Sequence, residues 1–177
     1  MVGYAGRLRY FSERWRKITS DKYILKIISG YEIPFSETPR QFHPPEQNKW
    51  SNNEFKILES EVKKLLEKNA IEKCNSSKNQ FLSSFFLIPK PDGTKKFILN
   101  LKNLNKFIDP SHFKIEDLRS ARNLLFPKAF MASLNVKDAY FLIPVHENSR
   151  KYLRFSFKEQ SIYLLTFWFE YKSIYFY

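Results

Sequence analysis

Two apolar runs, Ser83 to Pro89 and Lys95 to Leu101, flank the segment Lys90-Pro91-Asp92-Gly93-Thr94. No other feature constrains the fold as strongly. An Asp-Gly step tolerates positive φ, so the two runs read as strands joined by a tight turn. Upstream, Ser51-x-x-Glu54 has the pattern of a reciprocal helix cap. Phe55, Leu58, Val62, Leu65 and Leu66 then recur on one helical face, and Asn69 marks a stop. Leu8, Phe11, Trp15 and Ile18 have helical spacing among many arginines. A second short helix is expected between a Ser20 cap and Gly30, with Ile24, Ile27 and Ile28 on its apolar side. Tyr31 to Trp50 carries Pro34, Pro39, Pro44 and Pro45 and reads as an extended linker.

Beyond the hairpin, Ile115 to Leu125 is expected to be helical and to end at Pro127. Phe130 to Leu134 reads as a short buried strand. In Lys151 to Phe157, Leu153, Phe155 and Phe157 alternate with Tyr152, Arg154 and Ser156, which predicts another strand. Helix, hairpin, helix, strand, short helix, strand is an α+β order, unlike the regular alternation of a doubly wound sheet.

Composition narrows the function. Thirty Lys and Arg against 18 Asp and Glu leave a net charge of +12. That excess favours a polyanionic partner, nucleic acid before membrane, although a solvated basic surface is an equal alternative. No run of about 18 apolar residues predicts a membrane span. The N-terminus lacks an apolar signal core, so the expected location is intracellular, in cytoplasm or nucleus. Cys74 is the only cysteine and excludes an intrachain disulfide, which suits a reducing compartment. His43, His112 and His146 are scattered, and no metal-ligand spacing joins them.

Several blocks, in one order, resemble a reverse transcriptase of the gypsy or DIRS retrotransposon type. Glu61 to Glu72 resembles the helix before the fingers, and Phe81 to Asn105 the fingers hairpin with the Leu-Asn turn behind it. Phe113 to Leu118 and Met131 to Pro144 resemble the entry to the palm and its first catalytic motif; Arg150 to Phe157 resembles the strand that follows. The segment from Ala5 to Phe35 is similar to the region preceding the polymerase in DIRS-type elements. The resemblance implies a partial DNA/RNA polymerase right-hand fold, fingers plus an incomplete palm, preceded by N-terminal helices. Residues 1–50 would be the upstream helices and proline-rich linker, and 51–161 the fingers and start of the palm.

The resemblance also implies a chemistry. Such enzymes join a primer 3′-oxygen to the α-phosphorus of a deoxynucleotide, using two magnesium ions held mainly by carboxylates. Here Asn135 stands where the family's first metal-binding Asp belongs, and the backbone carbonyl of Val136 matches a second metal contact. An amide carries no net charge, so both metal binding and transition-state stabilisation should be impaired. Asp138 and Ala139 match positions whose backbone amides meet the triphosphate at a helix start; a plain helix cap is the structural alternative for Asp138. Tyr140 matches the residue beneath the sugar. Lys96 aligns with a triphosphate-binding Arg, and Lys90 is a second candidate at the fingers tip, although an exposed hairpin lysine accounts for it equally well.

Ile162 to Tyr177 matches nothing in the family as written. A coding string for the expected family peptide, read one frame over, reproduces it, so residues 162–177 are expected to be an out-of-frame tail. No Tyr-x-Asp-Asp motif and no adjacent Asp pair occurs in the sequence. The resulting expectation is a truncated, inactive polymerase fragment whose partners are template-primer nucleic acid and dNTP, with no membrane. The alternatives are a non-catalytic nucleic-acid-binding module and a relic whose product never folds.

Overall fold

The computed structural model describes residues 5–109, 122–123, 126, 130 and 139–166. Near the N-terminus the single expected helix is broken in two. A 3-10 helix, Arg7–Phe11, runs into the five-residue α1 (Ser12–Arg16). Neither has a side-chain cap or a buried residue, and Phe11 and Ile18 are exposed. Leu8 and Trp15 are only half-buried, so little packing sustains a longer helix. α2 (Lys22–Ser29) is capped by Asp21 and not by Ser20: the Asp21 carboxylate accepts from the Tyr23 amide at 2.8 Å. A carboxylate also suits the positive end of the helix dipole. Gly30 closes α2 by donating to the Lys26 carbonyl at 3.0 Å.

The proline-rich segment that follows is extended, yet it is no free linker. Tyr31 bridges to Val145 and Phe35 to Ile108. The Gln41 side chain donates to the Leu82 carbonyl and accepts from its amide, both at 2.8 Å. Asn48 donates to the Phe85 carbonyl at 2.9 Å, and Trp50 stacks on the Phe85 ring at 5.7 Å. Side chains of the proline-rich segment thus satisfy backbone groups of Leu82 and Phe85.

α3 (Asn52–Glu67) has the anticipated reciprocal cap: Ser51 Oγ accepts from the Glu54 amide, and Glu54 accepts from the Ser51 amide. Leu58, Val62 and Leu65 are buried, with Phe55 and Leu66 packed beside them. Asn69 ends the helix in the left-handed region, φ 55. Its amide donates to the Leu66 carbonyl and that of Ala70 to the Leu65 carbonyl, each at 2.9 Å. This two-bond closure satisfies carbonyls the helix leaves open.

Ala70 leads directly into β1 (Ile71–Cys74), a strand too short to announce itself by alternation. β2 (Phe85–Pro89) and β3 (Lys95–Leu99) form the expected hairpin. α4 (Glu147–Arg150), a single turn, is capped by His146 Nδ1. It precedes β4 (Arg154–Phe157) and β5 (Gln160–Leu164). The protein mixes helix and sheet. One sheet has the order β1-β5-β4, the other is β2-β3, and every pairing within them is antiparallel. α3 packs on β1 and β3. Phe85 and Phe97 of the hairpin meet Phe155 of β4 at ring separations of 5.7 and 5.3 Å, so aromatic contact fastens the two sheets together.

Two features of the C-terminal part lie beyond the strand pattern. Arg154 alternates with buried phenylalanines, yet it is buried as well. Residues 75–83 cover it: its guanidinium donates to the Asn75 carbonyl at 2.9 Å and to Gln80 at 2.7 Å, and its carbonyl accepts from the Ser83 amide. More consequentially, residues 162–166 do not behave as a tail. β5 lies between β1 and β4, with Ile162, Leu164 and Thr166 buried. The Leu165 amide donates to the Ala70 carbonyl, and its carbonyl accepts from Val145. Whatever the coding origin of Ile-Tyr-Leu-Leu-Thr, its alternating apolar residues suit a strand.

The helix expected over Ile115 to Leu125 lies outside the described residues, apart from Arg122 and Asn123, which are helical. Phe130, expected to begin a buried strand, is fully exposed, and the remainder of that strand lies outside the described residues. Among the described residues no helix is long and apolar enough to cross a membrane.

Candidate nucleic-acid interface

The hairpin is positioned by what its inner face buries. Phe85, Leu87, Phe97 and Leu99 point toward the core, because successive strand residues face opposite ways. Lys95 lies on that same face and reaches Glu54 of α3 at 2.8 Å. The Lys95 ammonium, first, and the Ser51 hydroxyl and amide hold the Glu54 carboxyl at about 2. This pair pins the hairpin base to α3. Neither residue had been singled out for it, although the alternation of β3 places Lys95 beside Phe97 and so toward the helix.

The turn is built by its own side chains. Asp92 accepts from the Thr94 amide at 2.9 Å and from its hydroxyl at 2.6 Å, which holds the Asp92 carboxyl below its ordinary range. The Lys90 amide donates to the Thr94 carbonyl at 2.7 Å, and that of Gly93 to the Lys90 carbonyl at 3.0 Å. Gly93 has φ +78, a conformation costly for any residue with a Cβ. Space around it is open, so the dihedral alone calls for glycine.

The outer face carries Phe86, Ile88, Lys96 and Ile98, with Lys96 directly opposite Ile88. Burial of the Lys96 ammonium, first, and the neighbouring Lys90 charge both push its pKa down. The Lys96 ammonium is itself buried, and the Lys90 charge acts on it, so the two lysines share one electrostatic neighbourhood at the turn end of the hairpin. An anionic phosphate placed there would relieve both penalties by pairing with the charged form.

Ala139 and Tyr140 begin a 3-10 turn, Ala139–Leu142. Ala139 is exposed and Phe141 is buried. The Phe141 carbonyl accepts from the Gly6 amide at 2.6 Å, and the Lys68 ammonium lies 5.2 Å from the Phe141 ring centroid. This turn is thus anchored to both the core and the N-terminal segment. Asn135, Val136 and Asp138 lie outside the described residues. Among the described residues no group of three His, Cys, Asp or Glu could hold a metal ion. The donors available at the expected metal position, the Asn135 amide and the Val136 carbonyl, include no carboxylate. That set does not fit a pair of hard dications.

No family model matches the chain, and no curated protein matches it. Solved structures do. Native prototype foamy virus protease-reverse transcriptase aligns with a TM-score of 0.56 and 16% identity, over 80% of this chain and 18% of that one. The foamy viral protease-reverse transcriptase in complex with dsDNA aligns with a TM-score of 0.59 and 13% identity, over 90% of this chain and 38% of that one. A selenomethionine-labelled mutant of the prototype foamy virus protein gives a TM-score of 0.58 at 13% identity, covering 94% of this chain and 25% of that one. The fold is reverse-transcriptase-like. This chain spans well under half the length of these proteins.

Proposed function

We propose that this chain corresponds to the fingers and first part of the palm of a retroelement reverse transcriptase of gypsy or DIRS affiliation. It binds template-primer duplex without performing nucleotidyl transfer. The observation that carries the reading is the placement of Lys90 and Lys96 together on the outer end of a hairpin, within a reverse-transcriptase-like fold. A net charge of +12 supports a polyanionic partner, and one of the similar proteins is seen in complex with dsDNA.

The parent reaction is RNA-directed DNA synthesis from dNTPs with magnesium. In such a site Lys96 would pair with the triphosphate as a point charge, without the forked geometry of Arg. The amides at Asp138 and Ala139 would cap its oxygens, and Tyr140 would lie beneath the sugar. Asn135 breaks the sequence of events at the metal, because an uncharged amide cannot replace an ionised ligand between two dications. Binding therefore outlives catalysis.

Equilibrium titration of a labelled RNA–DNA duplex with the purified chain tests this reading. Binding that is firm at low salt and falls steeply as salt rises is expected, since released counterions drive it. Absence of binding at low salt would remove the proposal.

A further inference from the structure

The 3-10 helix Arg7–Phe11, α1 and α2 pack against one another. They attach to the rest of the protein through Gly6, whose amide donates to the Phe141 carbonyl at 2.6 Å, and through the Ala5 amide, which donates to the Lys68 carbonyl at 3.1 Å. Gly6 is buried at φ +69, and a Cβ there would meet Pro144 and Thr166 at 3.4 Å. This helical unit is therefore seated next to the turn Ala139–Leu142.

Its surface is unusual. Tyr10 is 62% exposed, Ile18 73% and Tyr23 64%, while the 3-10 helix and α1 bury nothing. These residues do not serve the core. Around them, residues 7–26 carry seven Lys or Arg against only Glu13 and Asp21, a net five of the chain's +12. Exposed rings set among cations match a polymer that offers both phosphate and unpaired π-faces. Single-stranded nucleic acid does so: bases stack on aromatic side chains while cations follow the backbone. A bilayer is the poorer match. α1 has five residues and α2 eight, too short to bury a long apolar stripe, and two of the exposed side chains end in a phenol hydroxyl.

We propose that the unit formed by residues 7–29 is a single-strand-binding surface, with Tyr10 and Tyr23 as its stacking platforms and Lys17 and Lys22 among its phosphate contacts. This goes beyond the duplex reading and stands without it, since the rings and charges concerned lie outside the hairpin.

The test uses the full chain, a labelled oligothymidylate, an RNA–DNA duplex, and vesicles of phosphatidylcholine with and without phosphatidylserine. The variant is Tyr10→Ala/Tyr23→Ala, both at exposed positions, with Lys17→Ala/Lys22→Ala as a second variant. Loss of stacking should weaken oligothymidylate binding by at least about tenfold, with duplex affinity changed less than about twofold. The lysine variant should flatten the salt dependence on the same oligonucleotide. Unchanged oligothymidylate affinity in both variants overturns the proposal. So does an effect confined to phosphatidylserine vesicles, or one confined to self-association measured by sedimentation. Should the chain bind oligothymidylate in this way and no duplex at all, the surface stands and the hairpin reading falls.

Discussion

Replacing the two outer hairpin lysines tests the interface by its charge count. Lys90→Ala removes the charge of an exposed residue. Lys96→Met keeps the aliphatic stem among Phe86, Ile88 and Ile98 while deleting the charge. Each phosphate contact contributes about 0.9 to the slope of log affinity against log salt, so the double variant should flatten that slope by about 1.8. Between 50 and 200 mM salt the unaltered chain should then lose about 12-fold more duplex affinity than the double variant. Each single substitution should flatten the slope by about 0.9. Lys96→Arg should retain the slope. Fluorescence anisotropy across a salt series measures the unaltered chain and the four variants. A double variant with an unchanged slope would refute the argument, because it would place the phosphates elsewhere.

Three further outcomes concern the scaffold. Phe97, fully buried against Phe85 and Phe155, should cost about 3–5 kcal/mol when changed to Ala, lowering the melting temperature by roughly 6–20 °C; circular dichroism reads this, and a loss below about 1 kcal/mol contradicts the aromatic core. Asn69→Ala, at φ 55, should destabilise by about 1 kcal/mol in urea, whereas Asn69→Gly should not, since only the former places a Cβ-bearing residue with no local side-chain bond in that region. The Glu54 carboxyl, held at about 2, contributes stability that is present above the ordinary carboxylate value near 4.5 and is lost as pH falls toward 2. In Lys95→Met its midpoint, followed by carboxyl NMR, should rise yet stay below 4.5, because Ser51 still donates to it.

Legibility in the sequence followed how local each determinant is. The Ser51 cap, the apolar stripe of α3 and the Pro-Asp-Gly hairpin are fixed by neighbours within a few residues, and all three stand in the structure as read. β1 and β5 were missed because each is four or five residues long and owes its existence to partners far along the chain. The burial of Arg154 could not be read, because alternation gives a face and not what covers it; residues 75–83 fold over that face. Leu8 to Ile18 shows the reverse error, since helical spacing predicts a buried stripe only where something packs against it. Within the candidate site, the hairpin pattern located Lys90 and Lys96 near the turn, where the structure has them. The Lys95–Glu54 pair that holds the hairpin on α3 spans 41 positions and was not.

Primer extension on an RNA template, with dNTPs and magnesium, tests the central claim most directly when run under salt conditions at which duplex binding is first shown. The account predicts a bound duplex and no extended product, with Asn135 standing where an ionised ligand is required. Magnesium-dependent incorporation by the unaltered chain would contradict it.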